Sequence, residues 1–317
     1  MALPWGYCAA MADLKLFRIA SQDATELVGS GADVEKSLQT LVERHLGALL
    51  AVQMLESEYS TGRTHGGRID TLGIDENGSP VIIEYKRSRN QNVINQGLFY
   101  LDWLLDHRGE FELLVGKRIG SEHADAIDWS SPRLICIAGD FTRYDEHAVQ
   151  QINRNIELVR YRQYESGQLL LLELVNAATS EVGKIASGEG QAVSAQGSRH
   201  STATSLLGKA SPELTALFNA LRDYCEGLGD DVHVKALKHY FAFRRLKNFA
   251  CVEVHPVSAD ILAYVKVDPT YVDLRDGFTR DVRGIGHYGT GDLEIRLKTE
   301  DDLEAAKELL LRSYEAN

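Results

Sequence analysis

Two carboxylates and an amine fall within one short stretch of this chain: GGRIDTLGIDENGSPVIIEYKRSR, residues 66–89, carries Asp70, Glu84 and Lys86. Glu76, Asn77 and Gly78 predict a three-residue hairpin loop, with Gly78 at the position that needs positive φ. That loop sets Asp70 opposite Glu84. Alternation then puts Ile82, Glu84 and Lys86 on one face of their strand and Val81, Ile83 and Tyr85 on the other. Like charges across a sheet destabilise it, and VIIEY reads as a buried strand, so the pair needs compensation. A divalent cation supplies it. Two carboxylates with backbone or water oxygens suit Mg²⁺ (or Mn²⁺), which keeps waters and a place for phosphate. Lys86 beside the metal would orient a water or stabilise charge on a phosphate. The competing reading is an ordinary cross-strand salt bridge, which is what an isolated Glu-x-Lys usually means.

The rest of the chain must position these groups. With 317 residues, two domains are expected, and 44% apolar with 25% charged residues fits a globular protein. Cys8, Cys136, Cys225 and Cys251 have neither CxxC spacing nor histidine clusters, so no zinc site or disulfide framework is signalled and a cytoplasmic location is expected. No apolar run approaches the roughly 18 residues of a membrane span. The net charge of −12 argues against a surface built for nonspecific nucleic-acid binding, so such binding must use local patches. One is 232–252, which holds five Lys or Arg and no acid.

Residues 1–30 read as an N-terminal extension. Val34, Leu38, Leu41, Val42, Leu46 and Leu49 predict an amphipathic helix. Strands follow near 52–59, 67–74 and 80–86, then a helix at 91–106, strands at FELLV and RLICIAG, a helix near 143–155, and strands near 156–162 and 168–175. This order predicts an α/β sandwich around a mixed sheet over 31–176. The Ser-, Gly-, Ala- and Thr-rich segment 177–209 reads as a flexible linker. Beyond it, 210–317 reads as a smaller α+β domain: a helix entered through Ser211 and Pro212, strands near 249–255, 261–267 and 292–298, and a last helix with Thr299 and Asp302 as a capping box. The Gly-rich GIGHYGTGD at 284–292 lacks the Lys of a phosphate loop and reads as a turn-rich loop.

Asp70, the hairpin and Glu84-x-Lys86 resemble the signature of the PD-(D/E)XK nuclease superfamily, with Ile69 where that signature has proline. GRID, a short turn and an apolar E-x-K strand are similar to the RecB-like and NucS-type branches, which add Gln-x-x-x-Tyr on the next helix. Gln96 and Tyr100 supply it, one turn apart. The resemblance spans about residues 30–175 and implies a restriction-endonuclease-like mixed sheet flanked by helices, a bound Mg²⁺ or Mn²⁺, and DNA as substrate. It also implies a metal-binding acid on the helix before the hairpin. Glu43 is chosen because it borders the apolar stripe near the helix end that leads into the hairpin; Glu35 lies at the far end, and Glu58 is a rival. Asp70, Glu84 and Glu43 would hold metal, with Lys86 and Gln96 completing the catalytic set. Arg63, His65, Arg68, Arg87 and Arg89 would neutralise phosphates, and Tyr100 would meet the nucleic-acid backbone.

RDVRGIGHYGTGDLEIRL and the SYE ending resemble a small domain of unknown function, sometimes labelled a predicted transport protein, a label that a chain without a membrane span does not support. Two classes of function follow: a metal-dependent DNA endonuclease, or a noncatalytic nuclease-like module that binds nucleic acid or a partner, with the C-terminal domain as sensor. Nothing in the chain demands a homodimer, and nothing forbids one.

Overall fold

A computed structural model of the chain describes residues 15–20, 23–32, 35–87, 93–165, 168–178 and 202–317. Strands β1 (Leu16–Ala20) and β2 (Asp23–Leu27) form a two-stranded antiparallel ribbon. The helix expected across 34–49 breaks at His45 into α1 (Glu35–Arg44) and α2 (Leu46–Leu50). Next come β3 (Val52–Ser60), the single turn α3 (Gly62–His65), β4 (Arg68–Asp75) and β5 (Pro80–Lys86), close to their expected bounds. Helices α4 (Val93–Asp106), α5 (Arg108–Ile119) and α6 (Ser121–Asp125) lead to β6 (Arg133–Ala138), α7 (Arg143–Gln150), β7 (Asn155–Tyr164) and β8 (Leu169–Ala178).

FELLV, read from sequence as a strand, lies inside α5. Phe111 and Val115, four residues apart, are buried while Leu113 is exposed, so the run follows a helical period that five residues alone do not reveal.

The six strands β3 to β8 stand side by side in chain order. β5, β6 and β7 run parallel; β3, β4 and β8 make the sheet mixed. Thr71 pairs with Ile83 and Leu72 with Ile82, the register that the three-residue loop requires, and Gly78 takes φ 78°. Ile82 packs with Leu72, Ile94, Leu101 and Leu134 on the face covered by α4. Val81, Ile83 and Tyr85 pack with Leu38 and Val42 of α1 on the other. The mixed α/β expectation therefore holds, with helices on both faces.

The C-terminal region comprises α8 (Ala203–Leu207), α9 (Pro212–Glu226), β9 (His233–Ala236), β10 (Phe241–Arg244), β11 (Asn248–His255), β12 (Asp260–Val265), β13 (Thr279–Asp281), β14 (Leu293–Leu297) and α10 (Glu300–Glu315). Its antiparallel sheet has the order β13-β14-β12-β11-β10-β9. Ser211 caps α9, and Thr299 and Asp302 cap α10 reciprocally. Of the expected linker, residues 179–201 lie outside the described residues, and the described end includes α8.

The basic stretch 232–252 is not an open anion-binding surface. Phe241 and Phe243 point into the C-terminal core, and this turns Arg244 and its neighbour-strand residue Lys235 towards the first sheet, where both are buried. There Arg133 forks onto Glu157 at 2.9 and 2.8 Å and reaches Asp75 at 2.8 Å. Arg244 lies 4.0 Å from Asp75 and 3.8 Å from Glu157, and Lys235 donates to the Ser131 carbonyl at 3.3 Å. Burial works against the Glu157 carboxylate, but Arg133 and Arg244 overcome it and hold its pKa at about 2. Lys235, the surplus cation, is pushed down to about 7 by burial.

Removing one member strands the others. Arg133→Ala is expected to cost about 3–5 kcal/mol in urea unfolding. Lys235 binds its proton less readily folded than unfolded, so stability should rise with pH from about 7 towards 10.5. Lys235→Met should flatten that slope in unfolding curves recorded across the window.

Candidate active site

The β4–β5 ladder ends at Thr71 and Ile83, and side chains take over beyond it. The Asp70 N–H donates to Glu84 Oε1 at 3.2 Å, and the Tyr85 N–H donates to Asp70 Oδ2 at 3.0 Å. Each carboxylate thus accepts an amide hydrogen from the opposite strand. Glu84 is fully buried, and its Oε2 finds no hydrogen-bond partner among the described residues. Burial, then the charge of Asp70, pushes the Glu84 pKa up to about 9. Burial also raises Asp70, against the Tyr85 N–H and Lys86. Such a pair is electrostatically incomplete without a proton or a cation.

Lys86 is paired with Glu35 at 2.8 Å. Burial disfavours its charge, but Glu35, Asp70 and Glu84 more than offset this and hold its pKa above the ordinary lysine value. It is an ammonium donor rather than a base.

The order of the helix acids differs from expectation. Glu35, at the start of α1, reaches Lys86, and with Glu58 it is among the charges that bear on Asp70. Glu43 instead accepts from Thr71 Oγ1 at 2.6 Å and from Gln39 Nε2 at 3.0 Å. The helix runs the opposite way over the hairpin from the one assumed, so its first residue, not its last turn, lies over Lys86. Among the described residues no three His, Cys, Asp or Glu side chains converge as a set to hold a metal, and the hydrogen-bond partners of Glu43 are Thr71 and Gln39. Gln39, which sequence reasoning passed over, donates to the Asp70 carbonyl at 2.7 Å. The signal was available: Glu35, Gln39 and Glu43 recur every fourth residue and share one helix face.

Glu58, on β3 beside Asp70, holds a left-handed backbone with φ 56° and is clamped by Lys36 and Arg68, each at 2.7 Å. A non-glycine residue in that conformation carries strain of about 1–3 kcal/mol. Gln96 bonds Tyr100 at 3.5 Å. Tyr100, expected on the nucleic-acid backbone, is buried, and its hydroxyl accepts the Arg68 N–H at 3.1 Å. Gly67 permits this, since a Cβ there would lie 2.5 Å from the Tyr100 ring. Arg63 and Arg87 are exposed, Arg68 is committed to Glu58, and Arg89 lies outside the described residues.

Residues 203–317 match the family model of a domain of unknown function, DUF5655. An uncharacterized protein of Haemophilus influenzae is 25% identical over 309 residues, covering 94% of this chain and 98% of its own. A solved complex of EndoMS with dsDNA is similar at 20% identity over 44% of this chain, with a TM-score of 0.29. The chain spans 49% of that protein, and at this score the similarity is weak.

Tyr100→Phe tests the positional role given to this side chain. Loss of the hydroxyl should lower stability by about 0.5–1.5 kcal/mol in urea unfolding, the worth of an ordinary hydrogen bond.

Proposed function

We propose that the protein is a metal-dependent nuclease that hydrolyses phosphodiester bonds of DNA at the Asp70–Glu84–Lys86 site. The observation that carries this reading is the Glu84 carboxylate, buried against Asp70 with one oxygen that has no hydrogen-bond partner among the described residues. Two hard oxygen donors to which no cationic side chain among the described residues is bonded directly fit Mg²⁺ or Mn²⁺. Asp70 and Glu84 would hold the ion, which when bound supplies charge for the phosphate and a more acidic water. Lys86 donates to the attacking water or to a phosphate oxygen, and Glu35 fixes where its ammonium points. Gln39 fixes the Asp70 backbone, and Gln96 with Tyr100 fixes the turn that carries Arg68. Arg63 and Arg87 are free to meet flanking phosphates.

The deciding experiment offers plasmid, single-stranded, branched and mismatched DNA and RNA to the full-length protein with Mg²⁺ or Mn²⁺. Cleavage by the wild type, reduced at least a hundredfold in Asp70→Ala and Lys86→Ala (on the order of one electrostatic contact to the transition state), is expected. Tight binding with no cleavage on every substrate would transfer the site to the noncatalytic module.

Metal binding has its own signature. The proton favoured on Glu84 below about pH 9 must leave when a cation arrives. Mn²⁺ affinity should therefore climb by up to about tenfold per pH unit between neutrality and that value. Calorimetry in buffers of different ionisation enthalpy should count about one proton released per ion.

A further inference from the structure

The loop that joins the two site strands is itself held by the C-terminal domain. Glu76 Oε1 accepts the Asn248 N–H at 2.6 Å, and Oε2 accepts from Lys266 Nζ at 2.7 Å and Thr290 Oγ1 at 3.1 Å. Asn77 Oδ1 accepts from the Tyr240 hydroxyl at 2.8 Å and from Asn248 Nδ2 at 2.6 Å. Donors before β10, at the start of β11, after β12 and in the loop before β14 thus converge on two adjacent residues. The Gly-rich segment 284–292 finds its place here. Gly289, at φ 80°, lies where a Cβ would be 2.5 Å from Cys251 Cβ, so the segment presses against β11 and presents Thr290 to Glu76.

From this loop β5 runs straight to Glu84 and Lys86. An extended strand rises about 3.3 Å per residue and hardly stretches, so a shift at the loop is delivered to the carboxylates. The bonds that join Asp70 to Glu84 lie just past the last β4–β5 ladder pair, so between these two strands they and the Tyr85 amide bond are what continue the pairing.

We propose that the C-terminal domain is a receptor for the Glu76–Asn77 turn. Glu76 is a positioning residue that, through Lys266 and Asn248, sets how Asp70 meets Glu84. The functional meaning of this rests on the nuclease reading; its physical content does not.

The Asp70 and Tyr85 amides donate to the Glu84 and Asp70 carboxylates, so their hydrogen exchange reports the site directly. In the full-length protein, Glu76→Ala and Lys266→Met should each speed exchange at these two amides about tenfold or more, a local opening. The β6 amides of Ile135 and Cys136 should keep their wild-type rates, and Glu76→Gln, which still accepts the Asn248 N–H, should recover much of the protection. Unchanged rates at Asp70 and Tyr85 in the Lys266→Met variant would overturn the proposal. So would acceleration shared equally by β6, which would make the contact merely stabilising. A wild type that cuts no substrate would sink the nuclease reading and leave these exchange rates as they are.

Discussion

Everything at the candidate site depends on one pair of hydrogen bonds. Past Thr71 and Ile83, where the β4–β5 ladder ends, the carboxylates of Asp70 and Glu84 take the amide hydrogens of Tyr85 and Asp70. This ties the two acids to the backbone of each other's strands, so neither can swing away to relieve their repulsion. A surface salt bridge has no such constraint, since its side chains are free to move into water.

The same hairpin shows how the fold treats buried acids when it intends to neutralise them. At the loop end Asp75 is as buried as Glu84, yet Arg133, Arg244 and Lys235 surround it and hold its carboxyl below the ordinary range. At the other end burial and Asp70 drive Glu84 the opposite way, and the nearest cation, Lys86, is bonded to Glu35. Two acids on one hairpin, equally dry, differ in whether the protein supplies the counter-charge. The first is neutralised within the fold, and the second is left to a proton or to the cation of the proposed function.

Much of this was legible in the sequence because it is local. Loop length fixed the hairpin register, alternation fixed the two faces of β5, and the caps of α9 and α10 stood in three-residue signatures. What escaped was set by long-range packing. The direction in which α1 crosses the hairpin decides that Glu35 rather than Glu43 lies over Lys86, and spacing within a helix says nothing about it. FELLV is too short to show its period. The basic residues of 232–252 read as solvent-facing until the aromatic residues between them are seen to claim the C-terminal core, which leaves Lys235 and Arg244 facing buried acids.

The position of the second domain follows from the same geometry. Its polar contacts fall on the β4–β5 loop, on the Ala48 carbonyl of α2, on Ser131 ahead of β6 and on Glu157 near the start of β7, while Leu246 packs in the cluster that holds Leu170, Leu172 and Leu174 of β8. Glu84 and Lys86 lie where β5 ends. Ligands of open α/β sheets meet the carboxyl ends of parallel strands, and the polar contacts on the β4–β5 loop, Ser131 and Glu157 lie at the opposite end. Among the described residues, the hydrogen bonds and ion pairs of Asp70, Glu84 and Lys86 all come from the first domain. The second domain's contacts reach the carboxylates only along the strands, and the strand that makes the shortest path is β5, gripped at its first residues and chemically equipped at its last.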